Sequence, residues 1–222
     1  MTTGMRCGTT NPKAKEYFES GNFGLQINKL IKARQLFYAA TQVDSLFCDA
    51  WDNLSIVYRR LGQYENAFTA GMHSLVIDSI NIVAWSNCGY ASFLAGDNYR
   101  ALTSFSHAQR IIPDDPEGYY GMSMVLYSMD SIERARTNIL KARDLYDKKR
   151  INIGQEVDLL HGFIEFKYGA LGNAQKLLQK VYSANKENAE LNYYLGQCYL
   201  INEKDPKKAQ KYIERAKVLG YN

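Results

Sequence analysis

The chain has 222 residues, of which 46% are hydrophobic and 23% are charged, and this composition excludes an intrinsically disordered protein. The net charge of +4 is too small and too dispersed to indicate nucleic-acid binding. No run approaches the roughly 18 apolar residues that a membrane span requires, and the start of the chain lacks the apolar region of a signal peptide. We therefore expect a folded chain without a transmembrane segment.

Four cysteines, Cys7, Cys48, Cys88 and Cys198, are widely spaced and contain no C-x-x-C pair. We expect all four to be reduced thiols that pack as small hydrophobic groups. Cys7 has a second interpretation, as the lipid attachment point of a processed bacterial precursor, although Gly4-Met5-Arg6 does not resemble a lipobox. The compartment is open: the cytoplasm is the default, and the bacterial envelope follows if Cys7 is lipidated.

Residues 1–11 show no periodicity and are predicted to form a flexible tail. A helix is predicted to begin at Pro12, because Asn11 is a favourable N-cap and proline suits the first helical position. The pairs Asp115-Pro116 and Asp205-Pro206 repeat this signal, and Pro113 lies just past a helix end. No proline interrupts a predicted helix, so the sequence predicts an all-α fold.

A period of 34 residues organises the chain from residue 12 onwards. Small residues recur at this step, as Ala33, Ala67, Ala101 and Ala135. After the fourth unit the register slips by five residues around Asp147 to Ile153. We predict a single domain over 12–222, with six repeats at about 14–47, 48–81, 82–115, 116–149, 155–188 and 189–219.

The third repeat carries Trp85, Cys88-Gly89, Ala101, Phe105 and Pro113 at characteristic distances. This spacing resembles the tetratricopeptide repeat (TPR), a helix–turn–helix unit with the pattern W-x2-L-G-x2-Y, A-x3-F and P over 34 residues. The resemblance implies a right-handed α-solenoid of about six helix pairs, stacked around a concave surface. It also implies that the first helix of each pair lines that surface.

Eleven residues on the first helices are the predicted peptide-binding groove. Asn53 and Asn87 occupy the same position in adjacent repeats, and an amide can both donate to and accept from a peptide backbone. The alternative is that an exposed helical asparagine has no role. We expect about half of the aromatic candidates to be exposed, and the others to fill the core between repeats. The full set is Asn53, Asn87, Ile56, Tyr90, Phe93, Tyr120, Met124, Tyr127, Phe163, Phe166 and Tyr194.

Chaperone-binding TPR domains grip a terminal carboxylate with basic groove residues, and we predict no strong clamp of that type here. Phe18, Val83 and Asn87 stand where the basic residues belong, and Asp49 and Asp52 make the local field unfavourable for an anion.

No nucleophile–base constellation, phosphate-binding loop or metal-ligand spacing is present in the sequence. His73 and His107 belong to different repeats and are expected to face solvent, whereas His161 falls at a packing position. We therefore predict a protein that is not an enzyme, with no cofactor and no metal.

These patterns predict a non-catalytic scaffold that binds a protein or peptide partner in its groove. The alternative is an assembly factor or a scaffold that self-associates through an uncapped C-terminal end. Repeat number and length are similar to those of the envelope lipoproteins that assist type IV pilus assembly. A further alternative is a non-catalytic arm of a regulatory enzyme complex.

Overall fold

The computed structural model describes residues 7–221, and this part of the chain is helical throughout, without a β-strand. Its twelve α-helices form six consecutive pairs, as the 34-residue period predicts. The predictions made for residues 1–6 lie outside the described range. The helices are α1 (Pro12–Gln26), α2 (Leu30–Val43), α3 (Cys48–Arg60), α4 (Tyr64–Ile77), α5 (Ile82–Leu94), α6 (Asn98–Ile111), α7 (Pro116–Ser128), α8 (Ile132–Lys148), α9 (Gln155–Tyr168), α10 (Leu171–Val181), α11 (Ala189–Ile201) and α12 (Pro206–Val218).

The predicted helix starts at prolines are confirmed. The Asn11 side chain accepts hydrogen bonds from the backbone N–H groups of Lys13 and Ala14, at 3.0 and 3.2 Å. Asp205 accepts in the same way from the Lys208 N–H at 3.0 Å. These side chains satisfy N–H groups that have no partner within the first turn of a helix.

The chain divides into two compact units, which within the described range cover residues 7–121 (unit 1) and 122–221 (unit 2). The division lies inside α7. A single domain over 12–222 remains a prediction.

The core of unit 1 depends on aromatic rings that rest against glycines. Phe37 and Phe105 are fully buried. A Cβ atom added to Gly21 would lie 2.7 Å from the Phe37 ring, and one added to Gly89 would lie 2.8 Å from the Phe105 ring. Gly121 touches the Phe105 ring even more closely. The missing side chains therefore allow the two helices of a pair, and the next helix, to approach each other.

Unit 2 replaces part of this apolar packing with ion pairs. Arg136 Nε lies 2.6 Å from Glu165 Oε1, and Asp158 pairs with both Arg143 and Lys180. Both carboxylates are almost fully buried. The pairs connect α8, α9 and α10, where α8 has 17 residues instead of the 14 of α6 and the repeat register slips. A charge this deeply buried is tolerated because it has a partner.

The prediction that all four cysteines are reduced is wrong for two of them. Cys7 and Cys48 form a disulfide that closes a sequence separation of 41, whereas Cys88 and Cys198 are free and buried as predicted. The backbone N–H of Asp49 also donates to the Cys7 carbonyl at 3.2 Å, which places the two chain segments side by side. A disulfide-bonded Cys7 sulfur cannot carry a lipid, so the structure contradicts a lipid attachment point at Cys7.

The helices between residues 7 and 221 are too short or too polar to cross a lipid bilayer.

Replacement of Gly121 by Ala tests the ring–glycine packing. The new methyl group would overlap the Phe105 ring, which cannot move away because Gly89 lies on it as well. We expect Gly121→Ala to lower the free energy of unfolding by about 1–3 kcal/mol, a typical cost of overpacking, as measured by urea denaturation. Gly172→Ala is the control, because a Cβ there has nothing within 4 Å; it should raise stability by up to about 1 kcal/mol. Equal shifts for both variants would contradict the packing argument.

Candidate peptide-binding face

The odd-numbered helices of unit 1 contact one another through side-chain amides. Asn53 Nδ2 donates to Asn22 Oδ1 at 2.7 Å and joins α3 to α1. Asn87 Nδ2 donates to the Asp52 carbonyl at 3.3 Å and joins α5 to α3. We call the surface formed by α1, α3, α5 and the unit 1 part of α7 the inner face. Each of these helices is the first helix of its repeat, and the TPR resemblance implies that first helices line the binding surface.

The two predicted asparagines therefore have structural partners. Asn87 is only 6% exposed, and its donor group is used inside the protein. Asn53 is partly exposed, and its donor group binds the neighbouring helix. Each amide also has an oxygen that can accept. Peptide binding by these residues remains a prediction, and the structure assigns them at least a role in positioning α1, α3 and α5.

Ile56, Tyr90 and Phe93 are partly exposed on the inner face of unit 1. The Tyr90 ring packs edge-on against Phe105 with centroids 5.0 Å apart, and its hydroxyl donates to Glu117 Oε2 at 3.1 Å. Tyr90 is therefore held in one orientation by a core ring on one side and a carboxylate on the other. Tyr120, at the α7 edge of this unit, is also partly exposed.

The candidates in unit 2 pack mainly against one another. Phe163 and Tyr194 are buried in the core of this unit, with 7% and 4% exposure. Phe166 stacks on Tyr194 with centroids 4.2 Å apart, and the Tyr127 hydroxyl donates to Glu190 Oε1 at 2.5 Å. Burial, together with this hydrogen bond, raises the pKa of Tyr127 above its ordinary value. Met124, Tyr127 and Phe166 remain partly exposed.

Eight of the eleven candidates are thus partly exposed, and Asn87, Phe163 and Tyr194 are buried. A buried side chain is not accessible to a partner without local rearrangement, so the accessible candidate surface is smaller than the predicted groove.

Each predicted solvent-facing histidine stacks on a tryptophan. His73 lies 4.4 Å from Trp51, and His107 lies 4.2 Å from Trp85, between ring centroids. His73 is exposed as predicted, whereas His107 is partly covered. His161 is buried at its packing position, also as predicted. Across residues 7–221, no three His, Cys, Asp or Glu side chains converge in a way that could hold a metal ion.

Sequence reasoning missed Arg59, which lies in the last turn of α3 beside Arg60. Its guanidinium lies over the Tyr90 ring, 5.2 Å from the centroid. The arginine pair at residues 59 and 60 is visible in the sequence, but its environment depends on α5.

The repeated helix pairs define the TPR fold, and comparisons of structure bear this out. No family model matches the chain, and a search of the curated proteins found no match. A chain of the APC/C hetero-tetramer Cut9-Hcn1 superimposes with a TM-score of 0.80 and 17% identity over 95% of this chain. The match covers 41% of that chain, so this protein spans less than half of its length.

Two further solved structures match over nearly their whole length. Pseudomonas aeruginosa pilF gives a TM-score of 0.77 at 18% identity, covering 94% of this chain and 92% of that chain. YrrB, described as a TPR protein with an unusual peptide-binding site, gives 0.61 at 18% identity, covering 83% and 92%. The predicted TPR fold, an all-α array of about six helix pairs, is confirmed. At these identities, the likeness establishes the fold alone.

The buried carboxyl group of Asp52, on α3, should make the stability of the protein depend on pH. Its Oδ2 accepts from Asn81 Nδ2 at 2.8 Å, whereas its Oδ1 is buried without a hydrogen-bond partner in the described part of the chain. Burial raises the pKa of Asp52 from 3.8 to about 6. Between these values the folded state keeps a proton that the unfolded chain has lost. The free energy of unfolding therefore falls as the pH rises from about 4 to about 6, and it stays lower above that range.

Asp52→Asn removes this dependence, because an amide does not titrate. Relative to the wild type, the variant should gain on the order of 2–3 kcal/mol of stability between pH 4 and pH 7, whatever constant offset the substitution introduces. Urea denaturation at both pH values measures the difference. Asp114→Asn, at an exposed site, should show a much smaller change, and a similar change in both variants would refute the prediction.

Proposed function

We propose that this protein is a non-catalytic interaction scaffold that binds a segment of a protein partner, either extended or helical, on its inner face. The observation that carries the proposal is the set of partly exposed apolar side chains in unit 1, Ile56, Tyr90 and Phe93, on helices held together by side-chain hydrogen bonds.

A helical surface suits this role for a physical reason. The backbone groups within a helix bond to each other, so side chains must provide the recognition. Aromatic and apolar side chains give most of the binding energy in protein interfaces when they are fixed before binding. Tyr90 meets this condition, because Phe105 and Glu117 hold its ring and its hydroxyl. The confirmed TPR fold supports the same class of function.

Peptides selected from a displayed random library against the full-length protein provide the test. We expect Ile56→Ala and Phe93→Ala each to weaken the selected peptides by about tenfold or more, which corresponds to about 1.4 kcal/mol of lost binding energy. Isothermal titration calorimetry measures the affinity, and circular dichroism checks the fold. Val76→Ala is the matched control, since Val76 is 83% exposed on α4, outside the inner face. Failure to select any peptide, or equal binding by wild type and inner-face variants, would refute the proposal.

A second candidate function is an assembly factor or self-associating scaffold. The observation that favours it is an apolar surface on the first helix pair, where Phe23, Ile27 and Ile31 are 62%, 45% and 53% exposed. At the other end of the described chain, Tyr221 stacks on Tyr193 with centroids 4.5 Å apart. The sequence analysis expected self-association through the uncapped C-terminal end, and this contact covers part of α11 there. We therefore favour α1 and α2 as the contact surface.

The disulfide supports an oxidising location for this second function, such as the bacterial envelope, because disulfides persist in oxidising compartments. In a role similar to that of the type IV pilus assembly proteins, Cys7 would not serve as the lipid anchor, because its sulfur is part of the disulfide.

Sedimentation at increasing protein concentration tests the second candidate. If copies associate through α1 and α2, then Phe23→Glu should abolish the larger species, because it places a charge in an apolar contact. Val76→Glu, which adds the same charge on α4, should leave that species unchanged. A wild-type protein that remains a monomer at every concentration would exclude self-association.

A further inference from the structure

Arg59 is a partly buried cation without a partner in the described chain. Its Nε atom is buried and makes no hydrogen bond within residues 7–221, and no ion pair involves its guanidinium there. The Arg59 guanidinium lies against the face of the Tyr90 ring, 5.2 Å from its centroid. Four other partly buried arginines, Arg100, Arg136, Arg143 and Arg215, each pair with a carboxylate, whereas Arg34, which is also partly buried, shows no such pair in the described chain.

The residue that follows Arg59 on α3 places a second positive charge beside it. Burial lowers its pKa, Tyr90 opposes this shift, and the neighbouring Arg60 lowers the pKa further. Arg60 is exposed, and its Nη2 donates to Asn28 Oδ1 at 2.8 Å, a neutral acceptor. Two adjacent guanidinium groups therefore lie at the C-terminal end of α3, and neither forms an ion pair with a carboxylate among residues 7–221. A partly buried charge without a counter-charge is costly, and an acceptor with negative charge would offset that cost.

The nearest acidic residues on the same helix are Asp52 and Asp49. They lie seven and ten positions earlier, which is roughly 10 and 15 Å along a helix that rises 1.5 Å per residue. An anion at Arg59 would be about a Debye length or more from them at physiological salt. Helix α3 is thus acidic at its start and basic at its end, and the acidic group of a neighbouring helix near this site is Glu117, which accepts from the Tyr90 hydroxyl at 3.1 Å.

We propose that Arg59, assisted by Arg60, forms a subsite for an acidic side chain, Asp or Glu, within the partner segment that the inner face binds. This inference rests on the proposed function. The guanidinium fork matches a carboxylate in two parallel hydrogen bonds, and the Tyr90 ring, with its centroid 5.2 Å from the guanidinium carbon, supports the cation from one side. The subsite differs in position from the carboxylate clamp that the sequence analysis excluded, because Phe18, Val83 and Asn87 take no part in it.

The binding of three synthetic peptides to the whole chain tests the subsite. The first is a glutamate-rich peptide with both ends capped, the second is its capped glutamine counterpart, and the third is the glutamine peptide with a free C-terminal carboxylate. Calorimetry gives the affinities, and the Arg59 Nε–Hε signal in a nitrogen-15 NMR spectrum reports the contact directly. We expect the glutamate peptide to bind about tenfold more tightly than the capped glutamine peptide. It should also cause a larger chemical-shift change of the Arg59 Nε–Hε signal than the capped glutamine peptide does.

Arg59→Gln should remove this preference by weakening the glutamate peptide about tenfold while leaving the glutamine peptide unchanged. Arg59→Lys keeps the charge but lacks the fork, so it should restore only part of the preference. Arg110→Gln is the matched control, because it removes the same charge from an exposed site on α6, and it should have no effect. If Arg59→Gln does not fold, the shift of the wild-type Arg59 signal decides the question.

The remaining outcomes separate the subsite from the proposed function. Peptides that bind with sensitivity to Ile56→Ala but without preference for glutamate would overturn the subsite and leave the proposed function standing. A free C-terminal carboxylate that binds through Arg59 as well as glutamate does would overturn the assignment to an internal acidic side chain. Loss of all peptide binding would overturn both.

Discussion

The contact between a large core side chain and a glycine on the facing helix is the constraint on which the rest of this structure depends. Phe37 rests on Gly21, and Phe105 lies against both Gly89 and Gly121. In unit 2 the aliphatic Leu178 makes the same kind of contact with Gly162. Because the glycine has no side chain, the helices can approach until the large group is fully enclosed, and close packing of this kind leaves little freedom in their relative position.

The inner face of unit 1 follows from this constraint. Once the odd-numbered helices are close enough, the amides of Asn53 and Asn87 can bridge them. The same proximity places Arg59 over Tyr90 and removes its Nε from water without supplying an acceptor. If a partner binds this surface as proposed, Arg59 can favour an acidic group over a neutral one, because only the acidic group carries a charge opposite to that of the guanidinium.

Unit 2 reaches a packed state by different means. The ion pairs of Asp158 and Glu165 occupy the α8–α9–α10 contact, where the repeat register slips. Stacked aromatic rings, including Phe166 on Tyr194, occupy positions that the sequence analysis assigned to the groove. Aromatic residues on the first helices of repeats are therefore partly exposed in unit 1, as at Tyr90 and Phe93, and partly or fully packed into the core in unit 2, as at Phe166 and Tyr194.

The sequence by itself determined the all-α class, the six helix pairs and the helix starts at Pro12, Pro116 and Pro206. These features are local or strictly periodic, because a cap or a 34-residue step depends on neighbours along the chain. It also selected the helix faces on which Ile56, Tyr90 and Phe93 are partly exposed. Only the tertiary structure decided that Cys7 pairs with Cys48, that Asn87, Phe163 and Tyr194 are buried, and that the buried Nε of Arg59 has no hydrogen-bond acceptor among residues 7–221. Helical spacing indicates on which face of the helix a side chain lies. The burial of that side chain and its contacts depend on distances to segments that are far away in the sequence.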